Sequence, residues 1–148
     1  MTERTEGRIH VEAAPAAVMA VLADVGAYPE WARGIRSAEV LVRDARGRPA
    51  EAAFHVVTPP IEARYTLRYR YAARAAGMSW TTVAASGAVR GVHGEYVLAP
   101  ADGGTDVTYR LAMEPAIALP GFLRRRAERT IIDAALGGLK RRVEVGER

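Results

Sequence analysis

The chain has 148 residues, 49% hydrophobic and 26% charged, which fits one globular domain spanning residues 1–148 with a core of its own. It has no cysteine, which excludes disulfides and thiol catalysis, and no apolar run long enough for a membrane span. The net charge of +4 is local: from Gly121 onward there are eight Lys or Arg against four Asp or Glu, while the first 120 residues hold thirteen of each sign.

Ile9 and Val11 alternate with Arg8, His10 and Glu12, so Arg4 to Glu12 reads as a half-buried strand. Pro15 opens a helix whose Val18, Val21, Leu22 and Val25 share a face, and Gly26 ends it. The acidic leader (Glu3, Glu6, Glu12) and Pro15 argue against reading this stretch as a signal peptide, so a cytoplasmic protein is expected. Tyr28-Pro29-Glu30-Trp31 begins a second short helical piece that stops near Gly34.

Six further strands follow. They are Ile35 to Arg43, Ala50 to Thr58, Ile61 to Arg74, Met78 to Ala85, Ser86 to Pro100 and Asp106 to Glu114, with turn signals at residues 44–49, 59–60, 76–77 and 102–104. The clearest alternation places Ala63, Tyr65, Leu67, Tyr69 and Tyr71 on one side and Arg64, Thr66, Arg68 and Arg70 on the other. Trp80 with Met78, Tyr96 with Leu98, and Tyr109 with Met113 extend the covered face.

Pro120 then starts a helix reaching about Val145, which would span about 37 Å. Leu123, Ala127, Ile131, Ala135, Leu139 and Val143 recur every four residues, and Phe122, Ile132, Leu136 and Gly138 widen the row into an apolar face. Glu128 and most of the arginines are expected off that face. One strand, two short helices, six strands and a long helix predict an α+β domain: a seven-stranded antiparallel sheet curled around the last helix.

The element order resembles the helix-grip fold of START-like domains. The opening IHVEAAPAAVMAVLADVGAYPEWARGIRSAEVL is similar to that of the polyketide cyclase/dehydrase and coenzyme-Q-binding START-like (SRPBCC) family, in its short actinobacterial single-domain form. Gly94-Glu95-Tyr96, GGTDVTYRL and LPGFLRRRAERTIIDAALGGLKRRVE extend the resemblance over nearly the whole chain. It implies that the protein binds an apolar small molecule, such as a lipid, quinone or polyketide, between the sheet and the last helix. Two alternatives stay open: a polyketide aromatase/cyclase or dehydratase, and a protein-interaction module without a ligand.

Trp31, Phe54, Tyr65, Tyr69, Trp80, Tyr96, Tyr109, Met113 and Phe122 are the candidate ligand contacts. Each also reads as core filling, and Trp31 also as an anchor for the second helical piece. Large aromatics facing the small residues Ala127, Ala134, Ala135, Gly137 and Gly138 could interdigitate or leave a cavity. No catalytic set is assigned. His10 and His93 fall outward by alternation, as do Glu62 and Glu95, and Glu114 ends a strand. His55 lies between Phe54 and Val56 and its direction is open; pointing inward, it would be the general-base candidate. No histidines stand at metal-ligand spacing and no phosphate-cradling loop occurs, so no metal and no cofactor are expected. Acidic residues interleave the basic clusters of the last helix, so they read as a solvated face and no nucleic-acid partner is expected. The oligomeric state is not legible.

Overall fold

The computed structural model describes residues 4–58 and 61–145. The strands are β1 (Thr5–Val11), β2 (Ile35–Arg43), β3 (Pro49–Thr58), β4 (Ile61–Tyr71), β5 (Gly77–Gly87), β6 (Val89–Ala101) and β7 (Gly104–Pro115). Helix α1 (Pro15–Ala23), a 3-10 segment (Val25–Glu30) and helix α2 (Gly121–Val145) complete the fold. The sheet order is β1-β7-β6-β5-β4-β3-β2, with every neighbouring pair antiparallel. Hairpins join β2 through β7 in sequence, and β1 closes the far edge by pairing Thr5–Val11 with Leu111–Thr105.

Period-two alternation sorts the side chains as the sequence predicts. Ala63, Leu67 and Tyr69 are buried on the concave face, while Glu62, Arg64, Arg68 and Arg70 face solvent. The element ends differ from the sequence reading for local reasons. β4 stops at Tyr71, because Ala73–Ala75 forms a short 3-10 turn. Ser86 belongs to β5, opposite Arg64, and the chain turns at Gly87 with a φ of 82°. β5 and β6 pair through Gly77–Trp80 and Val97–Gly94. Further along, the Thr82 hydroxyl bridges them by donating to Val92 O (2.9 Å) and accepting from Val92 N–H (2.8 Å).

The orientation of α2 departs from expectation. Its innermost residues are Glu128, Ile132, Leu136, Gly138 and Leu139, whereas Leu123 and Ile131 are partly open and Phe122 is 61% exposed. The cause is geometric. With 3.6 residues per turn, a row spaced by four drifts about 40° per step, so Leu123 and Val143 point about 200° apart and cannot both face one sheet. Glu128 then occupies the inside of the first turns. Its carboxylate accepts from the Thr5 hydroxyl (2.5 Å), Met113 N–H (2.7 Å) and Arg124 Nη1 (2.9 Å). It therefore ties α2 to β1 and β7, and its charge is matched by the Arg124 guanidinium.

The other end of α2 is held by Lys140, which donates to His10 O, and by Arg142, paired with Glu30. Gly138 has no room for a side chain: a Cβ there would run into the Trp31 carbonyl. Among the described residues, no helix is long and apolar enough to cross a membrane.

Glu128→Ala is expected to leave Met113 N–H and the Thr5 hydroxyl without an acceptor in a dry site. Urea denaturation should register a loss of about 3 kcal/mol.

Candidate ligand-binding site

α2 packs on β1 and β7. The concave face of β3 to β6 is therefore left to the 3-10 segment, the Trp31 loop and one flank of α2. These surfaces enclose a cavity of about 110 Å³. Its deep wall consists of Leu67, Tyr69, Trp80, Tyr96 and Tyr109, all buried. Trp31, Arg33, Thr58 and Ile131, which are partly or fully exposed, form the rim.

The rings touch in two chains. Trp31 meets Tyr28 edge-on (centroids 5.0 Å apart), and Tyr28 leads to Phe54 (6.2 Å) and on to Tyr65 (5.6 Å). Tyr69, Trp80, Tyr96 and Tyr109 form the second chain, with centroids 4.4–6.1 Å apart. Backbone shape leaves space for this: a Cβ at Gly94 would collide with the Trp80 ring.

The polar tips are unevenly satisfied. The Tyr28 hydroxyl donates to Leu22 O, and the Tyr71 hydroxyl, outside the cavity, donates to Pro49 O. The Nε1 groups of Trp31 and Trp80 are buried and have no acceptor among the described residues. Both tryptophans line the same cavity.

The family model for polyketide cyclase/dehydrase and lipid transport matches residues 2–144. The chain belongs to this polyketide cyclase/dehydrase and lipid transport family. Among solved structures it is similar to a START superfamily protein from Mycobacterium smegmatis, with a TM-score of 0.88 at 18% identity, covering 97% of this chain and 98% of that one. It is also similar to the Zhui aromatase/cyclase from Streptomyces sp. R1128, with a TM-score of 0.74 at 20% identity over 97% and 96% of the two chains. A third similar structure is a STAR-related lipid transfer protein from Xanthomonas axonopodis, with a TM-score of 0.70 at 21% identity over 93% and 84%. At these identities the likeness establishes the START-like fold. The search of curated proteins returned no match.

In this family member the structure brings together Trp31, Phe54, Tyr65, Tyr69, Trp80, Tyr96 and Tyr109 around the cavity. Two candidates lie elsewhere. Met113 is buried in a separate small cluster with Ala63 and Val89, and its N–H is bound by Glu128. Phe122 is exposed, because the first turn of α2 points it away from the sheet. Ala135, one of the small helix residues expected to face the aromatics, lines the cavity, and so do Tyr28, Arg33, Val56, Val92 and Ile131, which the sequence did not offer as ligand contacts. Parity with Phe54 was the available signal for Val56. Nothing local signalled Arg33.

The histidines lie outside the cavity. His55 pairs with Arg64 across the strands and faces the convex side, with Nε2 2.6 Å from Glu62 Oε2. That hydrogen bond holds the Glu62 carboxyl below its usual range. His10 meets Asp106 at 2.8 Å and His93 meets Glu114 at 3.6 Å, all on exposed strand surfaces. Among the described residues, no group of three or more metal-type side chains comes together.

The titratable groups lining the cavity are tyrosines, with Arg33 at the rim. Burial pushes the hydroxyls of Tyr28, Tyr65, Tyr69, Tyr96 and Tyr109 well above their ordinary value of 10. They are therefore neutral donors and acceptors at physiological pH, not bases.

In the unfolded chain these phenols ionise near pH 10, while the folded state keeps them protonated. Their contribution is therefore intact below pH 10 and lost as pH rises above it. A spectrophotometric titration should show tyrosinate absorbance from these residues emerging together with loss of near-ultraviolet circular dichroism. Full ionisation of all six tyrosines in the still-folded protein would contradict the burial described.

Proposed function

We propose that the protein binds a hydrophobic, ring-containing small molecule with oxygen acceptors in the aromatic cavity between the sheet and α2. The observation that carries this reading is that Trp31 and Trp80, whose buried indole N–H groups have no partner among the described residues, both line one largely apolar cavity. A buried donor left without an acceptor costs about 1–3 kcal/mol, so two on rings that line one void favour an occupant toward which they can turn and that supplies acceptors. Quinone or aromatic ketone oxygens supply them. A saturated acyl chain does not.

The volume sets a second limit. A cavity of about 110 Å³ takes a single ring, comparable to the roughly 150 Å³ that admits benzene in a designed apolar site. A larger quinone or polyketide would place one ring among Tyr69, Trp80, Tyr96 and Tyr109 and extend past Trp31, Arg33 and Ile131 at the rim. The likeness to an aromatase/cyclase and to a lipid transfer protein is consistent with such cargo. A cyclase would also need a proton acceptor at the reacting carbon. The tyrosines in the lining are held protonated, and His55 lies on the opposite face. Binding is therefore the reading the geometry favours over turnover.

Native mass spectrometry of freshly purified protein, with mass analysis of its organic extract, tests this. The expected result is a retained oxygenated aromatic in the wild type that is absent from Ala135→Leu, which fills the cavity from α2. A ligand-free wild type that also fails to take up added quinones or aromatic ketones would overturn it.

A further inference from the structure

Phe122, expected in the core, is 61% exposed, and it is not alone. Ile117 is 73% exposed, Leu119 38% and Leu123 37%. Four large apolar side chains thus stand in water within seven residues, on the loop after β7 and the first turn of α2. Single exposed apolar residues are ordinary, but a cluster carries a standing hydration cost and marks a surface that something covers.

Exposed arginines flank the cluster. Arg125 and Arg126, in the next turn of α2, are exposed. Ala116 N–H donates to Ala88 O (2.9 Å), which fastens the apolar loop to the β5–β6 turn and brings the exposed Arg90 to the same end of the molecule. Of the acidic residues at this end, Glu128 is buried and bound to Arg124, the Glu62 carboxylate is hydrogen-bonded to His55, and Glu114 is exposed with His93 3.6 Å away.

We propose that the loop after β7 and the first turn of α2, with Ile117, Leu119 and Phe122 as the apolar tip and Arg125, Arg126 and Arg90 around it, form a docking surface for an anionic lipid bilayer. The apolar tip suits the boundary between headgroups and acyl chains, and the guanidinium ring suits lipid phosphates. A protein partner fits less well. A stable protein interface buries about 800 Å² on each side, more than a protruding tip of four side chains presents. The inference rests on this surface alone and holds whatever the cavity contains.

The test is sedimentation of the full-length protein with vesicles of phosphatidylcholine alone or mixed equally with phosphatidylglycerol. Binding is expected to the mixed vesicles at low salt, with little to phosphatidylcholine. It should fall as salt shortens the screening length from about 10 Å at 0.1 M to about 3 Å at 1 M. Each cation near an anionic surface multiplies partitioning about fivefold, so Arg125→Ala with Arg126→Ala should lower it at least about tenfold. Ile117→Ser with Phe122→Ser should also lower it sharply, with an unchanged melting temperature, since both side chains are exposed. Three results would overturn the proposal. One is no binding to anionic vesicles at low salt. Another is binding undiminished in the Ile117→Ser/Phe122→Ser variant. The third is a concentration-dependent dimer that this variant abolishes, which would assign the patch to a second copy of the chain.

Discussion

The arrangement depends on where α2 is fastened. Glu128 accepts hydrogen bonds from β1 through Thr5 and from β7 through Met113, and the charge is balanced by Arg124 one turn back on the same helix. A buried carboxylate is expensive unless every oxygen is engaged, so this contact is all-or-none and leaves α2 little freedom to slide across the sheet. The helix is thereby held over the β1–β7 side. Over the concave surface of β3 to β6 it presents only one flank, through Ile131 and Ala135, and the cavity is the space that results.

What fills that space explains its character. The strands present Tyr65, Tyr69, Trp80, Tyr96 and Tyr109, whose rings meet at tilted or edge-on angles and do not stack flat. Such rings cover a large apolar area while leaving gaps between them. Two glycines set the depth: Gly94 lets the Trp80 ring lie close on β6, and Gly138 lets the Trp31 loop approach α2. The result is a largely apolar chamber whose polar tips are phenol and indole groups. These are weak donors suited to orienting an uncharged oxygenated molecule, with Arg33 at the rim as the charged group in the lining.

Much of the fold was legible because strand alternation is a strict two-residue code. Once β4 is read as Tyr65, Leu67, Tyr69 inward, its neighbours follow, and the aromatic wall is visible in the chain itself. The helix was not legible in the same way. A four-residue repeat looks like a stripe in sequence but spirals around a 3.6-residue helix, so the sequence reading put Phe122 inside and Glu128 outside, and the structure reverses both. Nothing in the local sequence marks Glu128 as buried, because charge normally argues for exposure and its partners Thr5 and Met113 lie 123 and 15 residues away, on other elements. The direction of His55 was likewise settled by pairing with Arg64 and by Glu62 across the hairpin.

The central claim is that the two unpartnered indoles belong to a binding cavity and do not simply cap a packed core. Nitrogen–proton correlation spectra give the most direct view, because the chain has two tryptophans and therefore two indole signals. Titration with a compact quinone or aromatic ketone should shift both signals together, saturably, and downfield as each N–H gains an acceptor. Indole signals that stay in place while outer-surface amides move would show that the molecule binds elsewhere, and would contradict the account.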